Sequence, residues 1–257
     1  MSQIITDKAG LMEPNLWVPF KQPVNFARLN PYWKYSKDLF YVYCSAVSPT
    51  LDLVSKTQGT QVGTFATIAD RTGINIQPTA SSSYLSTGVT TVPSEEPYNT
   101  ILYVGVRPIS STAYNVFNTR RNSSNPTYFS GVFWTGTNTV LSMGYGDNTG
   151  TASSNWRYLT TTTSITNLYT RGFMSFCGCF KTSTTGSLYM NGRLMSLSAV
   201  GTGGAVAGTG NLSLYDYRNY SVYVWNPIHL LAIFNTQLPD QAMQSLSADP
   251  YQMFKSL

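Results

Sequence analysis

The chain has 257 residues, room for one large β domain or one domain with an arm, and 42% of them are hydrophobic, ample for a core. Charged residues make up only 11%, less than half of the roughly 25% usual in soluble domains, so the surface has to be polar through Ser, Thr and Asn. The formal charge of +5 is scattered, with Arg120-Arg121 the one adjacent basic pair, and no run approaches the roughly 18 apolar residues of a membrane span. A nucleic-acid footprint and membrane insertion are therefore not expected.

Residues 1–36 read as an extended arm. "EPNLWVPFKQPVNFARLNPYWKY" holds Pro14, Pro19, Pro23 and Pro31, and each proline removes a donor and fixes φ, which suits neither a helix nor a central strand. The residues between them are too apolar to stay in water. Either the arm packs on its own domain, or Leu16, Trp17, Phe20 and Phe26 dock it on a partner. The opening "MSQIITDKAG" has no apolar signal region. Three cysteines, Cys44, Cys177 and Cys179, do not make a disulfide framework. Synthesis in a reducing cytosol is the expectation.

From Phe40 the pattern is β and reads as one domain over residues 37–257. "FYVYCSAV" (40–47), "TILYVGV" (100–106), "TYFSGVFW" (127–134), "TVLSMGY" (139–145), "FMSFCGCF" (173–180), "YSVYVW" (220–225) and "IHLLAIF" (228–234) are short and rich in β-branched and aromatic residues. Many strands without intervening helices predict an all-β, two-sheet antiparallel jelly-roll sandwich. On a strand, Cys177 and Cys179 point to one face about two rises, ~6.6 Å, apart, which predicts two free buried thiols. Asn191-Gly192 in "SLYMNGRLMSL" is a strong hairpin signal, and "GTGGAVAGTG" (201–210) reads as a loop. The ending "LPDQAMQSLSADPYQMF" changes character. Pro239 suits the first helical position, Leu238, Ala242 and Leu246 form a stripe, and Asp249-Pro250 starts a further turn. A short helix that seals the sandwich is predicted.

Catalysis is not expected. Retaining glycan hydrolysis needs two carboxyl groups about 5–5.5 Å apart, and the only glutamates are Glu13, Glu95 and Glu96, the last two adjacent in "VPSEEPY". The single histidine, His229, alternates with Leu231 and Ile233 and reads as a core or interface residue. Zinc lacks ligands. No cofactor is expected, although Asp147 and Asn148 in "YGDNTG" could hold calcium if they are not simply a β-turn. Carbohydrate recognition is better supplied, since it needs an aromatic plate beside polar groups. One cluster is Asp147, Asn148, Asn155, Trp156, Arg157 and Tyr158; the other is Tyr215, Asp216, Tyr217, Arg218 and Tyr220. The competing reading makes these strand-edge and interface aromatics.

The late strand followed by "NTQLPDQAMQSLSADPYQMF", the hairpin "GSLYMNGRLMSL" and the strand "YNTILYVGVRPIS" resemble the concanavalin A-like lectin/glucanase domains of tailed-bacteriophage virion proteins. One departure is Leu238-Pro239, where the family more often has Leu followed by Ser or Thr. The resemblance implies a non-enzymatic virion structural protein of head-decoration or head-fibre type, assembled in the host cytoplasm. It would be anchored to other virion proteins by the arm or a sheet edge. The alternative is a glycan-binding tail adhesin. A homo-oligomer is expected, because multivalency strengthens weak single contacts.

Overall fold

The computed structural model describes residues 28–70, 73–80, 82–91, 98–106, 114–115, 117–120, 127–130, 132–135, 140–147, 156–162, 173–202, 212–215 and 228–255. The arm candidates Leu16, Trp17, Phe20 and Phe26, the predicted strand 220–225 and most of the loop 201–210 lie outside them. The described fold is all-β with one short helix. Two antiparallel sheets dominate. The seven-stranded sheet runs Arg193–Leu194, Gly186–Met190, Phe173–Phe180, Ile101–Val106, Ile228–Phe234, Leu39–Cys44, Ser48–Asp52. The ten-stranded sheet runs Leu197–Val200, Trp156–Thr161, Val140–Asp147, Thr127–Ser130, Phe117–Arg120, Leu212–Leu214, Tyr84–Ser86, Thr60–Val62. Val132–Thr135 and Tyr114–Asn115 branch from its Val140–Asp147 strand.

Period-two alternation sorts the seven-stranded sheet into two apolar faces. Tyr41, Tyr43, Ile101, Tyr103, Phe176, Leu188, Met190, Leu231 and Ile233 join Leu85, Met143, Leu159, Leu212 and Leu214 of the ten-stranded sheet in one core. Their neighbours Val42, Cys44, Leu102, Val104, Cys177, Cys179, Leu230, Ala232 and Phe234 form a second core on the other side. This explains why strands such as "LFYVYC" and "IHLLAIF" are apolar throughout: both faces are covered. Gly178 makes close approach possible in the first core. A methyl group there would lie 2.6 Å from the Ser187 carbonyl oxygen and 2.9 Å from Met143 Sδ of the opposite sheet.

The helix Asp240–Ala248 covers the second core. Its stripe is as predicted, with Leu238, Ala242 and Leu246 buried together with Met243. Pro239 sits one position earlier than predicted, at the boundary with φ −58° and ψ 148°, and its carbonyl accepts the amides of Ala242 and Met243. Asp249 closes the helix and the turn after it leads to Phe254–Lys255, which pairs with Arg28–Leu29. Trp33 and Tyr35 pack on the same side, Trp33 with its ring centroid 6.1 Å from that of Phe234. Residues 28–36 thus lie against the outer layer of the seven-stranded sheet.

The hairpin is as predicted. Asn191 and Gly192 have φ of 47° and 81°, the positive pair a type I′ turn demands. The turn is held from outside: the Asn191 Oδ1 accepts the Ser175 amide at 3.0 Å, and the Gly192 amide donates to Ser247 Oγ of the helix at 3.0 Å. Gly192→Ala is expected to cost about 1 kcal/mol through left-handed strain, checked by urea unfolding against wild type.

Candidate functional site

The site begins with two paired strands. Val140–Asp147 and Trp156–Thr161 run antiparallel with Gly146 opposite Trp156, Gly144 opposite Tyr158 and Ser142 opposite Thr160. Met143 and Leu159 of the same strands face the core, so alternation puts Gly144, Tyr158 and Thr160 on the outer face. Gly144 has no side chain and the half-buried Tyr158 ring lies across it, so any larger residue at 144 would collide with that ring. One edge of the phenol ring is thereby packed against the backbone of the neighbouring strand. Beyond it, Val200 of the edge strand stands opposite Tyr158 and is 49% exposed.

The first sequence cluster is brought partly together. Trp156 and Tyr158 lie two residues apart on one strand, and Asp147 ends the neighbouring strand. Asp147 is therefore a strand residue rather than a loop residue as the sequence reading had it. Its "YGD" end continues the ladder to Thr127. Asn148 and Asn155 lie outside the described residues. Arg157 belongs to the core-facing parity, and its Nη1 donates to the Ser183 carbonyl at 2.7 Å, tying the loop of one sheet to a strand of the other.

Of the second cluster only Tyr215 is among the described residues, and it is buried. Tyr215 is 1% exposed and sits in the core with φ +61°. Its hydroxyl accepts the Ile228 amide at 2.8 Å and its ring meets Phe65 edge-on, centroids 6.4 Å apart. Burial pushes its phenol well above the usual range. A ring held this way offers no face to a ligand. The strand Leu212–Leu214 ends just before Tyr215. Asp216, Tyr217 and Arg218 lie outside the described residues.

The three thiols are poorly placed for nucleophilic chemistry. Cys44, Cys177 and Cys179 are free and buried. Burial raises the Cys44 thiol to about 12 and the Cys179 thiol to about 11, the latter despite a hydrogen bond from Thr100 and the nearby Lys181. Such thiols are protonated at neutral pH and poor nucleophiles. His229 is buried in Ile228–Phe234, where its carbonyl accepts the Ser45 amide at 3.0 Å.

The residue sequence reasoning passed over is Asp52. It is a buried carboxylate with a structural task. One oxygen accepts the amides of Val42 and Val54 at 3.0 Å each, the other accepts the Ser55 amide at 3.0 Å and the Ser55 hydroxyl at 2.5 Å. The signal was the turn "DLVSKT", in which an Asp precedes a Ser three residues on.

One surface ion pair joins the sheet to the helix. Lys181 Nζ lies 2.7 Å from Asp240 Oδ2, with the side chains 43% and 44% exposed. The hydrogen bond from Lys181 holds the Asp240 carboxyl below the usual carboxylate range, and the same bond raises Lys181. A depressed carboxyl stabilises the fold above its unfolded value, near 4, and loses that contribution as pH falls through the lower folded value. The raised Lys contributes below its unfolded value, near 10.4, and loses its share as pH rises through the higher folded one. Asp240→Asn is expected to cost no more than about 0.5–1 kcal/mol at pH 7. The gap to wild type should close toward pH 2 in thermal melts.

No protein-family model and no curated protein matches the chain. Solved structures do. The binding domain of botulinum neurotoxin serotype C1 matches with a TM-score of 0.57 at 10% identity, over 82% of this chain and 52% of that one. The receptor binding domain of botulinum neurotoxin D gives 0.55 at 12%, over 82% and 52%. The binding domain of Paraclostridial Mosquitocidal Protein 1 gives 0.54 at 12%, over 82% and 52%. The chain thus spans about half the length of these structures. These likenesses correct the resemblance to concanavalin A-like domains of phage virion proteins, and the virion placement that rested on it loses its support. The motifs behind it, a Tyr-Met-Asn-Gly hairpin and a Pro-Tyr-Gln-Met-Phe ending, encode a type I′ turn and a helix stop. Such elements recur wherever a hairpin turns tightly or a helix ends, so they mark local geometry rather than lineage. What the chain shares with the toxin binding domains is its fold.

Proposed function

We propose that the chain is a non-catalytic binding domain that takes carbohydrate on the outer face of its ten-stranded sheet. The observation that carries this is the half-buried Tyr158 ring seated against Gly144, two residues from Trp156 on the same strand. A flat aromatic face offers the apolar side of a sugar its contact, and Ser142, Thr160 and Asp147 at neighbouring register positions supply hydroxyl and carboxylate chemistry. That the solved structures of like fold are titled binding and receptor binding domains supports binding over catalysis. In this reading residues 37–257 form a lectin-type jelly roll and residues 1–36 its lead.

The test is titration calorimetry against oligosaccharides chosen from a glycan array. Trp156→Ala and Tyr158→Ala are each expected to weaken binding at least about tenfold, near 1.4 kcal/mol, with the melting temperature kept. Absence of binding to every glycan on the array would overturn the proposal. Release of new reducing ends from a bound polysaccharide would overturn its non-catalytic half.

A further inference from the structure

Both sheets end on the same side of the molecule, and one short segment makes both edges. Arg193–Leu194 closes the seven-stranded sheet and Leu197–Val200 the ten-stranded one. Leu194 is 63% and Val200 49% exposed, two of the four large hydrophobics exposed among the described residues. Ser198 and Ala199 are exposed as well. Among the described residues no strand pairs the outer side of Leu197–Val200, and the direction of its backbone groups follows from register. Val200 stands opposite Tyr158, Ser198 opposite Thr160, and the Thr162 amide donates to the Ser196 carbonyl at 3.0 Å. Hydrogen-bonded pairs alternate along an antiparallel ladder, so residues 196, 198 and 200 turn their amides and carbonyls inward. Leu197 and Ala199 turn theirs outward.

Natural sheets blunt such edges with charge, proline or a bulge. The opposite edge of the seven-stranded sheet carries Pro49 in Ser48–Asp52. Leu197–Val200 carries none of these devices, and no charged residue occurs from Leu194 to Tyr215. In a chain of net charge +5, an identical copy is repelled except where charge is absent, and this edge is such a place.

We infer that Leu197–Val200 pairs antiparallel with the same strand of a second copy, making a dimer with a continuous ten-stranded-sheet face. A two-fold axis at Ser198 sets Leu197 of one copy opposite Ala199 of the other, so that both outward-facing residues exchange both bonds, about four in all. Ser198 then faces Ser198 across the axis. The Trp156–Thr161 strands of the two copies lie three strand spacings apart, ~14 Å, which places Tyr158 of both copies on one face. The dimer itself needs no ligand, so its test is independent of the carbohydrate reading.

The full chain is followed by sedimentation equilibrium without glycan, up to about 1 mM. A reversible dimer is expected for wild type. Ala199→Pro removes an outward donor and Val200→Lys adds a charge, and each should raise the dissociation constant at least about tenfold with the circular dichroism unchanged. Ser198→Cys introduces an exposed thiol beside three buried cysteines and should cross-link to a dimer on mild oxidation. A wild-type chain that stays monomeric throughout overturns the inference. So does a dimer that both edge variants leave intact, or a Ser198→Cys chain that remains monomeric when oxidised.

Discussion

Asp52→Ala is expected to lower stability by about 3–5 kcal/mol, enough to unfold a marginal domain. The carboxylate is 1% exposed and accepts three backbone amides and one hydroxyl. Removing it leaves the buried Val42 amide without its acceptor, at about 1–3 kcal/mol, and unties the half-buried Val54 and exposed Ser55 amides, which water can partly serve. The Val42 amide is the costliest, because the ladder cannot replace its partner. The register of Leu39–Cys44 shifts against both neighbouring strands, between Leu39 and Tyr41 on one side and between Tyr43 and Cys44 on the other. The irregular strand relies on a side chain for a bond that a regular ladder would supply. Guanidinium unfolding measures the loss. A change below about 1 kcal/mol would mean that water reaches Val42 and serves it equally well.

Gly178→Ala should be the second large effect, about 1–3 kcal/mol from overpacking. The added methyl would meet the Ser187 carbonyl at 2.6 Å and Met143 Sδ at 2.9 Å. Met143 can move and the Ser187 carbonyl cannot, because its strand is hydrogen-bonded to the Gly178 strand itself. Met143→Ala made on the Gly178→Ala background should therefore recover part of the loss but not all of it. The coupling is read from a double-mutant cycle in unfolding free energies. Simple additivity of the two changes would show that the sheets do not meet at this point.

The strands the sequence made visible were those whose apolar residues are buried on both faces, such as Leu39–Cys44, Phe173–Phe180 and Ile228–Phe234. The strands it hid were polar ones, including Trp156–Thr161 and Leu197–Val200, where Ser and Thr on an exposed face mimic loop composition. That difference also decided the two carbohydrate clusters. Trp156 and Tyr158 stand two residues apart on a strand that was not recognised. Tyr215 lost its place because its strand stops at Leu214 and its own φ turns positive, sending the ring into the core.

By itself the sequence determined the all-β class, the type I′ turn at Asn191-Gly192, the buried state of Cys177 and Cys179, and the helix that closes the chain. Each of these is written in neighbouring residues: alternation, two glycine-like φ values, a stripe at helical spacing. Only the tertiary structure decided which residues share the open face, that Gly144 exists to lie under Tyr158, that Asp52 completes a broken ladder ten residues away, and that one segment ends both sheets. Those are pairings between strands distant in the chain. Register across a sheet depends on the whole set of strands packing at once, which no local pattern specifies.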